Sequence, residues 1–461
     1  MQEQNGSTWN NLSAAVNTDV PIGSGGYEFT FDTAVSGRMY VVYNKGGGDG
    51  MVALCNADIA NAECTAMSDF TECPKFFAES GCQSMLLPYA LVEMTLAPNA
   101  NSGDANLSDV DQHGIEVSME VTTGTDTSRH NYNTSNANVL NGLKALLPTD
   151  SKAVVTNNSG DIVRVINPSH LPASANYAEI PQEYPSFKSY VDSLGADWSA
   201  QISSKVEDQE ACPGAVGSFD MVATKSSYKG TPYILISGTA TWGGATTSMD
   251  IYVKNDSTAD TMTQLVYQGD PGQYDNDRLF VKIGSTTTQG QDWATAFGAD
   301  QLTVMMSIIR DFSCGFSFGW FGSTCMVTKA PGGVQCGQPS WVKASSGEGV
   351  MLSTLTTAEM ALCTLAYTDA RCNTDEKTYL DEFGSVVDNA SNGGVYGSPY
   401  SDAWHGNTGG PLLKIVPGST ITLTVQDVAS SSNDSDTNND GVIDQQDLDN
   451  VLHALGSCRT D

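Results

Sequence analysis

The sequence predicts a mainly β chain of the α+β kind, with strand-rich stretches and helices segregated along it. Three observations carry this prediction. Apolar residues make up 40% of the 461 residues and charged residues only 16%, which favours a packed body over a disordered polyelectrolyte. Short runs rich in β-branched and aromatic residues, bounded by Gly and Asn, recur over about 27–135 and again over about 217–285. Helical spacing is confined to blocks between and after them. The length calls for about two or three units.

Residues 1–26 are polar and read as an N-terminal arm or edge strand. A body follows over 27–428, with a β-rich part at about 27–150 and a mixed α/β part at about 151–428. "YEFTFD", "GRMYVVYN", "ALVEMTL" and "GIEVSMEVTT" are strands, and the Asn-, Ser- and Gly-rich stretch between the last two is a loop. "NANVLNGLKALLP" is a helix stopped by Pro148. "AVVTNN" and "IVRVINP" are strands. In "YPSFKSYVDSLGADWSAQISSKV", Phe187, Tyr190, Val191 and Leu194 fall at helical spacing. "YILISGTATW", "MDIYVKN" and "RLFVKIG" belong to the second β block. The helices "DWATAFGADQLTVMMSIIRDF", "TTAEMALCTLAYTD" and "DEKTYLDEFGSVVDNA" come next, and "GPLLKIVPGSTITLTVQDV" closes the body with a strand. "KGGGDG" lacks the Lys-Ser/Thr of a phosphate loop and reads as a hairpin tip. "FSCGFSFGWFGSTC" reads as aromatic core.

The net charge is −32, from 53 acids against 21 bases, which disfavours nucleic acid and anionic membrane and leaves neutral glycans, cations and basic proteins as partners. Eleven cysteines without a C-x-x-C pair, and only five histidines, point to disulfides in an oxidising compartment rather than zinc. Two bridges are expected within Cys55, Cys64, Cys73 and Cys82. Three more are expected among Cys212, Cys314, Cys325, Cys336, Cys363 and Cys372, leaving Cys458 over. No apolar run is long enough to span a membrane, and no leader opens the sequence, so an exported protein would stand here in its mature form. Sequons at Asn5, Asn11, Asn106, Asn133, Asn157, Asn255, Asn389 and Asn433 permit N-glycosylation.

A linker at 429–435 leads into a different module at 436–461. "DTNNDGVIDQQD" places Asp436, Asn438 and Asp440 at positions 1, 3 and 5 of a twelve-residue calcium loop. Gly441 makes the turn at position 6, Val442 offers its carbonyl at 7, Asp444 stands at 9 and Asp447 at 12. Such spacing wraps hard oxygen donors around one cation. Leu448, Val451, Leu452 and Leu455 then share one helix face. The module resembles one repeat of a type I dockerin, a family that carries two. A lone repeat is free to clip the tail to its own body or to a neighbouring subunit, with Cys458 close by.

The candidate chemistry lies in "LVEMTLAPNANSGDANLSDVDQHGIEVSMEV". At strand spacing Val92, Met94 and Leu96 share one face and Glu93 points to the other. Asp109 and Asp111 end the connection back, before Ile115, Val117 and Met119 alternate with Glu116, Ser118 and Glu120. Read from the residues alone, these acids are either a pair suited to glycoside hydrolysis or solvated acids at a sheet edge. "LVEMTLAP…NLSDVDQHGIEV" resembles thaumatin-like proteins and the β-1,3-glucanases of glycoside hydrolase family 64. "SGRMYVVYN", "INPSHL" with "YPSFKSYVDSLGADW", and "GGVYGSPYSDAWHGNTGGPLLKIVPGSTITLTVQD" extend the likeness over about 27–428. The resemblance implies a thaumatin-like β-sandwich or barrel with an α/β partner domain and a wide groove. It makes Glu93 the general acid and Asp111 the base of an inverting hydrolysis, with Asp402, Tyr400 and Trp404 lining the groove. Trp341 is a further aromatic that could stack on a sugar. His113 and Ile115-Glu116 stand where the family carries an aromatic and then Leu-Pro. A secreted, extracellular hydrolase of β-1,3-glucan is one expectation. The other is a non-catalytic extracellular structural, adhesive or filament-forming glycoprotein that assembles through its C-terminal module and Cys458.

Overall fold

The computed structural model describes residues 2–5, 8–11, 27–30, 34–42, 51–61, 82, 86–97, 100–157, 159–170, 184, 186–207, 215–256, 261–274, 277–321, 326–329, 341–343, 350–351, 381–400 and 410–425. The calcium module with Asp436, Asn438, Asp440, Val442, Asp444 and Asp447, its linker and Cys458 lie outside the described residues. So do Asp402, Trp404, the glycine-rich tip at 45–50 and the helix expected over 356–369.

In chain order, strands β1 (Gln2–Asn5), β2 (Thr8–Asn11), β3 (Tyr27–Thr30) and β4 (Ala34–Val42) precede helix α1 (Met51–Ala60). Then come β5 (Tyr89–Leu96), β6 (Gly103–Ser108), β7 (Gln112–His113), β8 (Val117–Thr123) and β9 (Asp126–His130). Helix α2 (Asn136–Ala145), β10 (Val154–Thr156), β11 (Ile162–Ile166) and α3 (Phe187–Ser193) follow. A long meander runs through β12 (Ser199–Glu207), β13 (Ala215–Tyr228), β14 (Thr231–Trp242) and β15 (Ala245–Lys254). After α4 (Thr261–Gln268) it ends with β16 (Leu279–Ile283) and β17 (Thr286–Gln289). Helices α5 (Trp293–Ala296) and α6 (Ala299–Ser317) lead to β18 (Met326–Lys329), β19 (Trp341–Lys343) and β20 (Val350–Met351). The described chain ends with α7 (Glu382–Ser391), β21 (Val395–Tyr396), β22 (Leu413–Ile415) and β23 (Thr420–Val425). The fold is mainly β, as expected.

Contacts divide the described chain into two compact units. The first falls within Met1–Ser108, Gln112–Ile166 and Leu413–Asp461, and the second within Asp109–Asp111 and Asn167–Leu412. In the first unit β4, β5 and β6 are antiparallel neighbours, and β22 pairs with the far side of β6. A four-stranded sheet runs β3-β23-β8-β9, so the last described strand lies between the early β3 and the hairpin of β8 and β9. A small sheet runs β10-β11-β7. Strand alternation buries Val92, Leu96, Ala105 and Leu107 on one face of β5 and β6, and Val117, Met119, Ile421 and Leu423 in β8 and β23. Helix α2 begins at Ser135, whose hydroxyl accepts from the Asn138 amide, and it buries Val139, Leu140 and Leu143.

The second unit is built on the antiparallel sheet β12–β17. Ala223, Ile236, Ile251 and Val281 stand in register across four strands, all buried, and α6 packs along the sheet. Helix α6 contributes Val304, Met305, Ile308, Ile309, Phe312 and Phe316. Phe318, Trp320 and Phe321 follow it into the interior, the core role expected for that aromatic stretch.

Three local expectations change. Residues 103–108, read as loop, are strand β6, because pairing with β5 outweighs their poor β propensity. The helical spacing from Phe187 ends at Ser193, with Leu194 extended, and 199–207 is strand β12 with Ala200 and Ile202 inward. Helices α1 and α4 interrupt stretches read as strand. Cys314 is buried in α6. Cys82, in the first group, is disulfide-bonded.

Candidate active-site residues

Strand β5 sets the direction of Glu93. Val92, Met94 and Leu96 face the core, as the alternation predicted, which turns Leu91, Glu93 and Thr95 the other way. The register of β5 with β6 places Ser108 opposite Leu91, Asn106 opposite Glu93 and Asp104 opposite Thr95. Directly opposed side chains lie on one face with their Cβ atoms about 4.5–5.5 Å apart. Along this face the surface opens: Leu91 and Ser108 are buried, Glu93 is half-buried, and Thr95 and Asp104 are exposed. Glu93 therefore stands where the polar face meets solvent. On the other side of β5 the backbone of Arg38 is registered with Glu93. Gly103 starts β6 because a Cβ there would lie 1.9 Å from the Thr95 carbonyl oxygen.

Asn106 is 8% exposed, which removes it as an acceptor for a glycan in the folded chain. Neither its Nδ2 nor the Ser108 Oγ has a hydrogen-bond partner among the described residues. Both atoms belong to the face that carries Glu93.

Behind β5, Arg164 is fully buried in the first unit. Its guanidinium lies 4.9 Å from the Tyr89 ring centroid and donates to Tyr89 Oη at 3.2 Å and to Gln112 Oε1. Burial lowers its pKa, and the Tyr89 hydroxyl works in the opposite direction. Gln112 Nε2 donates to the Tyr89 carbonyl at 3.3 Å. His113 is also buried: Nε2 lies 2.9 Å from Asn136 Oδ1 and Nδ1 lies 3.4 Å from Tyr132 Oη. Asn136 Nδ2 donates to the Gly114 carbonyl at 3.1 Å. His113 thus holds the start of α2 to the turn at Gly114. Glu116 and Ser118 are buried too, although they alternate with the apolar residues of β8.

Asp111 belongs to the second unit and is 1% exposed. It ends a three-residue strap, Asp109–Asp111. The Asp109 amide donates to the Tyr396 carbonyl at 2.7 Å. The Asn167 amide donates to the Asp111 carbonyl at 3.0 Å, and Asn167 Nδ2 donates to the Asp109 carbonyl at 3.1 Å. The structure thus assigns Glu93 and Asp111 to different units.

Tyr400, in the second unit, has φ 64, a left-handed backbone that is uncommon outside Gly and Asn. Its hydroxyl donates to the Gly269 carbonyl at 2.6 Å, so that group is already engaged in holding the fold. Trp341 lies in β19. Asn167, Arg164 and Asn106 were not picked out from the sequence as site residues. The Asn-Pro pair in "INPSHL" was the one available signal for Asn167.

Comparison with known proteins bears on these residues. Residues 2–229 match the family model of the β-1,3-glucanases of glycoside hydrolase family 64. The solved structure of a laminaripentaose-producing β-1,3-glucanase in complex with laminaritetraose is similar over 73% of this chain and 68% of that one, at 12% identity and a TM-score of 0.40. No curated protein matches the chain.

Proposed function

We propose that the protein hydrolyses a β-1,3-glucan with inversion at the anomeric carbon. The observation that carries this reading is the β-1,3-glucanase family match over 2–229, a stretch that contains both Glu93 and Asp111. In this reading Glu93 is protonated and gives its proton to the glycosidic oxygen as the C–O bond breaks. Asp111 takes a proton from the water whose oxygen bonds to the anomeric carbon from the opposite face. Glu93 suits the acid role because it stands where a polar strand face opens to solvent. A neutral glucan also escapes the repulsion that a chain of net charge −32 exerts on anionic polymers. Tyr400, Asp402 and Trp404 are the proposed sugar-binding residues, and a thaumatin-like body is part of the same proposal.

Reducing-end release from a linear β-1,3-glucan tests it. Glu93→Gln and Asp111→Asn should each lower kcat by about 100-fold or more. NMR of the fresh product should show the inverted anomer. Activity retained in both variants, or a retained anomer, would overturn the assignment.

We also propose that the 436–447 loop binds calcium. Asp436, Asn438, Asp440, Asp444 and Asp447 with the Val442 carbonyl form an all-oxygen donor set suited to a hard cation. Calorimetric titration of calcium into the protein should give one site that Asp436→Ala abolishes. Secretion remains part of the proposal and rests on the cysteine pattern.

A further inference from the structure

We propose that Asn167 is the positioning residue for Asp111, fixing the backbone of its strap so that the carboxylate is held in its working place. This inference rests on Asp111 being the base of the proposed hydrolysis. All groups concerned belong to the second unit.

Three consecutive carbonyl oxygens of the strap accept hydrogen bonds from residues 167–169. Asn167 Nδ2 donates to the Asp109 oxygen at 3.1 Å, Ser169 Oγ donates to the Val110 oxygen, and the Asn167 amide donates to the Asp111 oxygen at 3.0 Å. The other Nδ2 hydrogen goes to the Gly397 oxygen at 2.8 Å. Since Tyr396 accepts from the Asp109 amide, the carboxamide ties the strap to the segment that also holds its amide. Asn167 Oδ1 accepts from the Ser169 amide at 2.9 Å, so the amide plane is fixed from its acceptor side as well. Asn167 is 0% exposed.

Only a primary amide supplies two donors and an acceptor in one plane at this reach. Pro168 disfavours a helical backbone at Asn167 and has no N–H, which makes the Ser169 amide the first donor available to Oδ1. The Cα–Cβ direction of Asp111 follows from the backbone on either side of it. A carboxylate displaced by about 1 Å loses roughly 100-fold in rate.

The test compares the full-length protein with Asn167→Asp, Asn167→Ala, Asp111→Ala and Glu93→Gln on a soluble β-1,3-glucan oligosaccharide, with and without sodium azide. Azide attacks carbon with no proton to remove, so it replaces a base-activated water but not a general acid. Asn167→Asp keeps the shape and replaces the two donors with an oxygen facing two carbonyls. The expected results are a kcat about 10- to 100-fold lower with KM within about 3-fold, and substantial recovery in azide with glycosyl azide as product. Asp111→Ala should recover likewise and Glu93→Gln should not.

Wild-type kcat in both Asn167 variants would overturn the proposal. So would a lost kcat that azide fails to restore while it restores Asp111→Ala, because that pattern marks general structural damage. Failure of both Asn167 variants to fold, judged by circular dichroism, would also overturn it by making Asn167 a residue of stability alone. Wild-type activity in Asp111→Ala would instead sink the underlying reading of the base, whatever the Asn167 variants do.

Discussion

Raising the pH from 4 to 8 is expected to destabilise the protein through Asp381, whose carboxyl caps the N-terminus of α7. Asp381 Oδ1 accepts from the Gly384 amide at 3.1 Å, and its own amide donates to the Ser317 carbonyl at 2.9 Å, at the end of α6. The residue is 1% exposed, and its Oδ2 has no hydrogen-bond partner among the described residues. Burial pushes the carboxyl up to about 7. The Gly384 and Phe383 amides pull it down by less, and Glu382 adds to the rise. In the unfolded chain the same group titrates at its ordinary value of 3.8.

Between those values the folded protein holds a proton that the unfolded chain has lost. Stability from this group is therefore fully present below the unfolded value, falls as pH rises, and levels off above the folded value. At about 1.4 kcal/mol for each unit, the loss comes to about 4 kcal/mol. Asp381→Asn keeps a capping side chain and removes the charge. Urea unfolding of both proteins from pH 4 to 8.5 should show similar midpoints at the acid end. The difference in the variant's favour should grow to several kcal/mol by pH 8. Parallel curves across the range would refute the reasoning, because they would mean that Asp381 ionises in the folded protein as easily as in the unfolded one.

Two further outcomes follow from the same structure. Gly269→Ala should destabilise by about 2 kcal/mol, since Gly269 has φ +69 and a Cβ there would meet Tyr400 Cε2 at 2.5 Å; thermal melting checks it. When the protein is made in a glycosylating host, mass spectrometry of the folded product should find glycans at Asn133 or Asn389, which are exposed, and none at Asn106 or Asn255, which are buried.

Alternation in β5 and β8 was legible because each strand has one face committed to a core, and period-2 patterning reports that commitment directly. Helix α2 was legible from "NANVLNGLKALLP", whereas its Ser135 cap was not singled out. Strand β6 was not: "GDANLS" has the composition of a loop, and only its partner β5 makes it a strand. Helix α4 was hidden because "TMTQLVYQ" mixes threonine and valine into a stretch whose burial comes from the second unit's core. Glu93 could be singled out from its own strand. Asn167 could not, since its role appears only when segments near residues 109, 167 and 397 meet. Nor does anything local announce that the strap carrying Asp111 is held by a different unit from the strands on either side of it.

The place of β23 between β3 and β8 has a consequence for the timing of synthesis. Residues 27–166 supply most of the first unit's described strands, yet one strand of its four-stranded sheet is Thr420–Val425. At about 5–20 residues per second, a ribosome needs roughly 13 to 50 seconds to travel from residue 166 to residue 420. During that interval β3 and β8 lack the strand that joins them, and their open edges are exposed to the crowded surroundings of the nascent chain. The second unit, encoded almost wholly within that interval, can complete its own sheet first. The first unit to be started is thus the last to be finished, and a message truncated before residue 420 would release a product with an incomplete sheet rather than a shorter working protein.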